Sequence, residues 1–515
     1  MLFNSFGFLF LFMPVVVLGF FALARIRREW AAAWLALASL FFYGWWDVRY
    51  LPLLLGSICF NYWAGRYIGA AQGKARLRGL TLAVAADLLL LAYYKYAAFA
   101  VASVNAALGS ELPVMSVVLP IGISFFTFTQ IAFLVDTFRG EVKEYNFVHY
   151  LLFVTYFPHL IAGPVLHHKE MMPQFADARS YRFSAGNWAI GLSIFTLGLA
   201  KKVLVADNLA EYANAVFDQG GAPGLLVAWG GVLAYAFQLY FDFSGYSDMA
   251  IGLSRLFGVK LPINFYSPYK APNIIVFWRH WHMTLSRFLR DYLYIPLGGG
   301  RRGTLRRYLN LMLTMVLGGL WHGAGWNYVI WGALHGGFLM INHGWQALWR
   351  GRPAAPPSRA GRVAGVLLTF VAVCIAWVFF RAPDLPRALE VLRGMLFMSG
   401  VSLPDAIGAR LGDGARGWLE QHGVGFYLGG GARFVQTYLW VGAAALLVFF
   451  CPNTVQIMRR FEPALLEAGD ALERASAARF AGWEPKRRWA IWIGVLMVLS
   501  LLSLNRPAEF LYFQF

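Results

Sequence analysis

The sequence has few charged residues and very few cysteines. Asp, Glu, Lys and Arg make up 14% of the 515 positions, whereas a soluble domain carries roughly a quarter. The three cysteines, Cys59, Cys374 and Cys451, lie in or beside apolar blocks. Their spacing predicts neither a disulfide framework nor a metal site, so we interpret them as packing residues. The low charge excludes an ordinary soluble protein.

Acidic residues are also scarce relative to basic ones. The chain has 26 Asp and Glu against 44 Lys and Arg, a formal net charge of +18. In a soluble protein this balance would suggest nucleic-acid binding. In an apolar chain it indicates cationic loops that hold the cytoplasmic side and contact anionic lipid headgroups. We therefore expect membrane lipid as a partner and no nucleic acid.

Long hydrophobic blocks recur along the whole chain. Hydrophobic residues make up 59% of the positions, and the mean hydropathy is +0.54. A helix needs about 20 mainly apolar residues to cross the hydrocarbon core, and about eleven or twelve blocks approach that length. The pattern predicts an all-α polytopic membrane protein. The predicted spans are 5–24, 30–46, 48–64, 79–103, 115–135, 186–206, 224–242, 308–322, 326–346, 362–380, 434–451 and 489–504.

Shorter apolar pieces and one long polar segment complete the predicted organisation. The pieces near 148–165 and 246–257 predict re-entrant or interfacial helices. Residues 382–433 contain Gly, Pro and nearly balanced charges, which predicts an external lobe. We treat residues 1–515 as a single membrane-embedded domain whose core motifs lie at 115–345.

The distribution of Lys and Arg between the spans predicts an orientation. Basic clusters are expected on the cytoplasmic side of a membrane. With the N-terminus outside, the alternation of spans places the basic clusters at 25–28, 66–78, 350–362 and 459–488 in the cytoplasm. The same alternation is consistent with an external position for the lobe.

One stretch combines an aromatic helix face with a histidine. Between Phe277 and Tyr292, large apolar residues recur at three- and four-residue spacing, while the arginines fall largely off that face. The pattern predicts a single amphipathic helix in the membrane interface. His282 falls on the apolar face and His280 away from it. Such a histidine is either a hydrogen-bonded core residue or a functional one, and the pattern alone leaves both interpretations open.

A second histidine ends an apolar block and has two glycines on each side. His322 lies within the segment 317–327, where glycine permits a helix break or a close backbone approach. An ionisable residue at membrane depth is a functional candidate. In the competing interpretation, the glycines are helix-packing notches and His322 bonds a carbonyl across helices.

A third element combines glycine with arginine. The segment from Leu297 to Arg307 contains four glycines and four arginines. Bare backbone amides beside Arg301 and Arg302 could hold the phosphates of a nucleotide-bearing donor. A positive-inside cluster at the membrane edge explains the arginines equally well. The Lys-Ser/Thr ending of a Walker phosphate-binding loop is missing from this segment.

Several polar residues lie in apolar surroundings, where each alone is more simply structural. Asp242 and Asp248 could orient a histidine or bind a basic residue. His167 and His168 lack partners in a metal-like pattern, so we predict no metal site. The other polar residues of this kind are Asp136, His159, Gln238, Asn264, Asn327 and His335.

The histidine motifs occur together, in order, in one known family. The run from Phe277 to Gly300 and the triplet Trp321-His322-Gly323 resemble the membrane-bound O-acyltransferase (MBOAT) family. The chain is most similar to the bacterial alginate O-acetylation proteins of that family, and more distantly to the teichoic-acid D-alanyl transfer protein. His280 departs from the pattern, because relatives usually carry Arg there. Further matching phrases lie at 120–125, 157–164, 201–208, 242–248 and 513–515.

The resemblance implies a fold, a reaction and a site. The family's fold is a ring of tilted helices around a central tunnel. Its near-invariant histidine matches His322, which we expect to be the general base, and its second active-site histidine matches His282. We take Trp321 and Asn327 as substrate-binding candidates. Two other elements supply further candidates of this class: Arg301, Arg302 and Asp242.

The resemblance also suggests the substrates and their location. Acetyl-CoA is the expected acetyl donor, with no bound cofactor, and the final acceptor is an exported polysaccharide, with alginate as the first candidate. A periplasmic acetyltransferase partner is expected to carry the acetyl group between them, across the bacterial inner membrane. Two alternatives remain on sequence grounds: a transporter or flippase for an acyl carrier or saccharide, and a non-catalytic scaffold for the periplasmic enzyme.

Overall fold

The computed structural model describes residues 1–115, 117–144, 146–161, 163–349, 358–465, 482–504 and 511. The C-terminal phrase 513–515 and residue 162 of the phrase 157–164 lie outside these residues. Within the described part, nearly all regular structure is helical. The predicted all-α polytopic class is confirmed.

Twenty-three α-helices occur in the described residues. The first twelve are α1 Met13–Ala24, α2 Arg28–Gly44, α3 Leu51–Ala70, α4 Gly73–Leu91, α5 Ala97–Leu108, α6 Ile123–Arg139, α7 Phe147–Thr155, α8 Phe157–Leu160, α9 His168–Ala176, α10 Ala185–Ala200, α11 Asp207–Phe217 and α12 Leu225–Leu256. The others are α13 Ile274–His280, α14 Met283–Leu289, α15 Thr304–His322, α16 Trp326–Leu348, α17 Arg359–Arg381, α18 Leu385–Met395, α19 Asp405–Leu411, α20 Asp413–Gln421, α21 Gly431–Phe450, α22 Thr454–Ile457 and α23 Arg487–Leu502.

Wider π-helical turns interrupt or extend several of these helices. They join α4 to α5 and α10 to α11 without a break in the helical chain, so that Gly73–Leu108 and Ala185–Phe217 are continuous. Such turns occur often at functional sites. The π-helical turns are Phe8–Phe12, Ala92–Tyr96, Lys201–Ala206 and Arg290–Tyr294. Short 3₁₀ turns lie at Val48–Tyr50, Ala178–Tyr181, Pro268–Lys270 and Arg459–Phe461.

Five helices of the described residues are long and apolar enough to cross a membrane by strict criteria of length and composition. A chain with five such helices is a multi-pass membrane protein. The larger number of eleven or twelve spans stays a prediction. The five are Gly73–Leu108, Ala185–Phe217, Leu225–Leu256, Arg359–Arg381 and Gly431–Phe450.

Two predictions were wrong, the start of the span at 115–135 and the separate helix at 246–257. The span predicted at 115–135 becomes helical only at Ile123, because Pro120 and the left-handed Gly122 (φ 70°) end the extended segment before it. The piece at 246–257 is the end of the 32-residue α12 and not a separate helix. The piece at 148–165 forms the short helices α7 and α8.

The centre of the protein depends on a close contact between α10 and α12. Gly191 and Gly198 of α10 face Gly252 and Gly245 of α12. A Cβ atom added at any of these four positions would lie between 2.5 and 2.7 Å from the carbonyl oxygen of the facing glycine. Small residues let membrane helices approach to this distance. The pair therefore forms a rigid centre for the rest of the chain.

A buried ion triad locks the same two helices together. Lys202 Nζ lies 2.7 Å from Asp207 Oδ1 and also contacts Asp242, and all three side chains are at most 8% exposed. Next to it, Lys201 Nζ lies 2.6 Å from Asp248 Oδ2. Both lysines belong to the π-helical turn Lys201–Ala206. The motif phrases 201–208 and 242–248 thus form structural ion pairs.

Residues 382–433 form a small mixed unit. It contains α18, α19 and α20 together with two short parallel strands, β1 Val401–Pro404 and β2 Val424–Tyr427. Arg387 anchors it by donating to the carbonyl oxygens of Val216 and Gly221. The side of the membrane on which this unit lies stays a prediction.

We predict that Lys202→Met strongly destabilises the protein. The substitution leaves two carboxylates buried without their cation, which costs about 3–5 kcal/mol. The control is Lys169→Met, whose partner Glu141 is 40% exposed; an exposed pair contributes about 0–1 kcal/mol. Thermal unfolding in detergent should show a large fall in midpoint for the first variant only. Equal midpoints would contradict the structural role of the triad.

Candidate active site

The segment that carries His282 is broken at that residue. The predicted continuous helix from Phe277 to Tyr292 was wrong, because α13 ends at His280 and α14 begins at Met283. Between them His282 adopts a left-handed backbone conformation, with φ 43° and ψ 54°. This conformation is uncommon for a residue other than glycine and is frequent at functional sites. It turns the His282 ring into the protein interior, where the residue is 1% exposed.

Asn264 fixes the orientation and the tautomer of His282. Its Oδ1 atom accepts hydrogen bonds from the backbone N–H and the Oγ1 of Thr284, at 3.3 and 3.0 Å. Because a backbone N–H only donates, the amide oxygen must face this side. His282 Nδ1, 3.0 Å from the same oxygen, therefore donates. In the neutral ring Nε2 is then unprotonated, and it is buried without a hydrogen-bond partner among the described residues.

His322 is the last residue of α15 and lies close to His282. The two ring centroids are 6.4 Å apart, although 40 residues of sequence separate them. Trp331 and Phe380 pack edge-on against the His322 ring at centroid distances of 5.2 and 5.1 Å. These aromatic rings leave little freedom for the imidazole. The two imidazoles are therefore direct neighbours in the protein interior.

Glycines next to His322 hold its helix against α16. A Cβ atom on Gly319 would overlap the carbonyl oxygen of Tyr328, and one on Gly332 would overlap that of Met315. These glycines are therefore packing notches, as the competing interpretation proposed. The packing also fixes the end of α15, so the structural and functional interpretations are compatible.

A cavity of about 130 Å³ opens beside His322. Its wall is mainly apolar, and its polar side chains among the described residues are Lys95, Ser124, His322 and the two indoles Trp46 and Trp321. His322 is 8% exposed, whereas His282 is almost fully covered behind it. The other residues of the wall are Leu119, Pro120, Ile121, Gly122, Ile123, Phe125 and Ile161.

Trp321 lies between the histidines and an aromatic layer. Its ring is 4.9 Å from that of His322 and 6.0 Å from that of His282. On the other side it stacks on Phe128, which in turn stacks on Phe288 at 4.4 Å. The indole Nε1–H is buried without a partner among the described residues. An indole N–H only donates, so this atom is an unused donor next to the two imidazoles.

Other predicted site residues lie elsewhere or are already bonded. Asp242 pairs with Lys202, in agreement with the suggestion that it binds a basic residue. Asn327 Nδ2 donates to the Ala382 carbonyl at 2.9 Å and so ties α16 to the end of α17. Arg301 and Arg302 are exposed at the opposite end of α15. Substrate binding by these four residues stays a prediction.

The glycine-rich loop before α15 is well defined. Gly298, Gly299 and Gly303 have positive φ angles of 106°, 54° and 88°, which other residues rarely adopt. Asn310 of α15 donates to the carbonyls of Leu297 and Gly299 at 3.2 and 3.0 Å. The arginines therefore project from a fixed loop. This arrangement suits both phosphate binding and a positive-inside cluster at the membrane edge.

Sequence reasoning missed several residues of the site. Lys95 and Ser124 contact each other at 3.3 Å on the cavity wall. Neither was singled out, because a lysine near the end of an apolar block is usually an interfacial residue. Asn264 was noted only as a polar residue in apolar surroundings, and Thr284 was not noted. The bonds of Asn264 to both His282 and Thr284 depend on the helix break, which no local pattern indicates.

Comparison with known proteins places the chain in a family. A model of the membrane-bound O-acyltransferase family matches residues 93–382. The chain is 46% identical over 431 residues to a peptidoglycan O-acetyltransferase from Helicobacter pylori, which covers 78% of this chain and 81% of the relative. It is also 46% identical over 402 residues to a probable alginate O-acetylase, AlgI, from Pseudomonas aeruginosa, with 77% and 75% covered. The chain belongs to the membrane-bound O-acyltransferase family.

Membership confirms the resemblance and the enzyme class. The protein is a membrane O-acyltransferase. Its main function is therefore neither transport nor that of a non-catalytic scaffold. A more distant relative, a teichoic acid D-alanyltransferase from Streptococcus thermophilus, is 28% identical over 282 residues, or 50% of this chain and 68% of its own. The two histidines and every cavity residue named above except Trp46 lie within the matched residues 93–382.

We predict that Asn264→Leu impairs acyl transfer. The substitution removes the acceptor that orients His282 and leaves buried donors unpaired. The free-energy cost of such unpaired donors is about 1–3 kcal/mol. If that free energy is lost in the transition state, the rate falls about 5- to 150-fold. Acetylation should be measured at matched protein levels. The control is Ser247→Ala, which removes only a contact of 3.4 Å to the other end of the amide. An unchanged rate in Asn264→Leu would exclude this orienting role.

Proposed function

We propose that this enzyme takes an acetyl group from a cytoplasmic thioester and passes it to a hydroxyl on the outer side of the bacterial inner membrane. The transfer serves the O-acetylation of an exported polysaccharide. The observation that carries the proposal is the approach of two buried imidazoles, 6.4 Å apart, with one of them on the wall of a cavity.

His322 is the proposed general base. It accepts the proton of the acceptor hydroxyl while that oxygen attacks the thioester carbonyl. The tetrahedral intermediate then expels the thiolate, which takes the proton back from His322, so an ester and a free thiol are formed. An imidazole suits both steps near neutral pH, and general base catalysis contributes about 10²–10⁴-fold in rate.

His282 and Trp321 have complementary proposed roles. The unprotonated Nε2 of His282 is suited to accept a hydrogen bond, either from the acceptor hydroxyl or from His322 once it is protonated. The unpaired Nε1–H of Trp321 is suited to donate to the thioester oxygen as negative charge develops on it. In these roles the unprotonated His282 Nε2 only accepts a hydrogen bond, and the Trp321 indole N–H only donates one.

The two ends of α15 support the proposed direction of transfer. The helix has 19 residues, so it rises about 28 Å, close to the thickness of the hydrocarbon core. The arginines precede its first residue and His322 is its last. Since the neighbouring cluster at 350–362 is predicted to be cytoplasmic, the antiparallel course of α15, α16 and α17 supports a cytoplasmic position for Arg301 and an outward position for the His322 cavity.

The cavity supports a carrier protein as the immediate acceptor. A polysaccharide presents many hydroxyl groups, and burying them against apolar walls without partners is costly. Few polar side chains line the wall: Lys95, Ser124, His322 and the indole N–H groups of Trp46 and Trp321 among the described residues. A single hydroxyl on an otherwise apolar segment fits better. We therefore propose that a periplasmic acetyltransferase partner receives the acetyl group before the polymer does.

The donor and the polymer follow from chemistry and from the relatives. Acetyl-CoA is the proposed donor, because exposed arginines on a glycine-rich loop suit its phosphates. For the polymer, alginate is the first candidate. Peptidoglycan is the second, because a relative with that printed name is equally identical, at 46%.

We predict that His322→Ala abolishes polymer acetylation, with a loss of at least about 10²-fold. The control is His422→Ala, an exposed histidine of the residue 382–433 unit. The measurement is the number of acetyl esters per sugar in cells with equal amounts of each variant in the membrane. Normal acetylation in the His322 variant would exclude a catalytic role for this residue.

We predict that the pair Arg301→Glu and Arg302→Glu raises the KM for acetyl-CoA at least about tenfold, because two phosphate partners become repulsive. The control reverses the charge of two exposed basic residues in another predicted cytoplasmic cluster, by Lys74→Glu and Arg78→Glu. A reporter fused to the C-terminus should stay on the same side in both. An unchanged KM together with an inverted reporter would favour the positive-inside interpretation of the loop.

A further inference from the structure

Two neighbouring side chains hold the end of the helix that carries His322. The last carbonyls of an α-helix lack partners within the helix. At the end of α15, Tyr96 Oη donates to the Leu320 carbonyl at 2.7 Å. Lys95 Nζ donates to the carbonyls of Trp321 and His322, the latter at 3.3 Å. Three consecutive carbonyls are thus bonded by one turn of a distant helical segment.

The local geometry of that turn explains how both side chains reach α15. Consecutive residues of a regular α-helix point in different directions and do not face one partner together. Lys95 and Tyr96 belong to the π-helical turn Ala92–Tyr96, which is wider than an α-helical turn. The wider turn changes the angle between successive side chains, so that both residues face the same helix end. We call Lys95 and Tyr96 the carbonyl clamp.

The charge of Lys95 is placed where a helix end favours it. All of its three contacted atoms are neutral oxygens: two carbonyls of α15 and Ser124 Oγ, at 3.3 Å. Lys95 Nζ therefore has three polar partners among the described residues and stands at the negative end of the α15 dipole. It also lies 5.9 Å from the centroid of the Trp321 ring. The cation thus orders both residues that we place beside the reacting carbonyl.

We propose that the carbonyl clamp positions His322 and Trp321 for acyl transfer. By fixing the last turn of α15, Lys95 and Tyr96 set the distance from His322 to His282 and the angle at which His322 faces the cavity. Neither residue exchanges a proton or contacts the reacting atoms in this account, so both are positioning residues. The proposal rests on the role proposed above for His322.

The same hydrogen bonds could instead contribute only to the stability of the protein, and the test must separate this role from positioning of His322. The chain offers matched hydrogen bonds for this purpose. Tyr438 Oη donates to the Leu226 carbonyl at 2.7 Å, and Lys270 Nζ to the Cys451 carbonyl at 2.7 Å. Each is a tyrosine or lysine bond to a backbone carbonyl of another segment, and none of the four residues lines the cavity. They should contribute to stability without affecting turnover.

The test compares Tyr96→Phe and Lys95→Met with Tyr438→Phe and Lys270→Met in the full-length protein. Each purified variant is assayed for release of free CoA thiol from acetyl-CoA, giving kcat and KM, and for its thermal midpoint. Tyr96→Phe should lower kcat about fivefold, the size of one lost hydrogen bond. Lys95→Met should lower it about 10- to 100-fold, as expected when a catalytic group is displaced. KM for acetyl-CoA should change less than about twofold in both.

The two control variants should keep the wild-type kcat even if their thermal midpoints fall as far. A wild-type kcat in Tyr96→Phe and Lys95→Met would overturn the proposal, as would an equal loss of kcat in the matched controls. If Lys95→Met fails to fold, Tyr96→Phe decides, since it removes a single oxygen atom.

Failure of the underlying mechanism has a different signature. If His322→Ala is active, the base assignment fails whatever the clamp variants do. If His322→Ala is inactive while both clamp variants are fully active, only the clamp fails. If purified wild-type protein releases no thiol from acetyl-CoA because the acceptor hydroxyl is missing from the assay, polymer acetylation in cells at equal membrane amounts gives the same comparison among the four variants.

Discussion

The approach of His282 and His322 depends on where two helices stop. His282 lies in the left-handed break between α13 and α14, and His322 is the final residue of α15. A regular helix through His282 would give its ring a different direction, whereas His322 keeps the helical conformation of the last turn of α15. Helix ends also leave backbone groups that need partners from elsewhere in the chain. The site therefore requires a scaffold that satisfies these groups while holding both rings still.

The scaffold and the site contain different kinds of buried polar group. The triad of Lys202, Asp207 and Asp242 is a paired network that locks helices together. By contrast, His282 Nε2 and Trp321 Nε1 are buried polar atoms without partners among the described residues, and both lie beside His322. Unpaired buried groups are costly in an apolar protein. Other buried atoms of this kind occur elsewhere in the described residues, such as Tyr43 Oη and Trp188 Nε1. It is therefore the position of His282 Nε2 and Trp321 Nε1 beside His322 that marks them as candidates for contact with a substrate.

Much of the fold class could be read from the sequence, because membrane spans have a simple compositional signal. The two histidines were also found, one by its glycine context and one by its aromatic surroundings. The break at His282 could not be found, since the apolar spacing from Phe277 to Tyr292 fits one continuous helix and a left-handed residue leaves no local pattern. Likewise, Asn264 acts on a residue 18 positions away, which only tertiary packing reveals.

The central claim is that the acyl carbonyl reacts between His282 and His322, next to Trp321. Its most direct test is a cryo-EM structure of the protein with a non-hydrolysable thioether analogue of acetyl-CoA. The account predicts the acyl oxygen within about 2.6–3.2 Å of Trp321 Nε1 and the acyl carbon between the two imidazoles. An analogue whose acyl group binds elsewhere, with the space between the two rings still closed to it, would contradict the account.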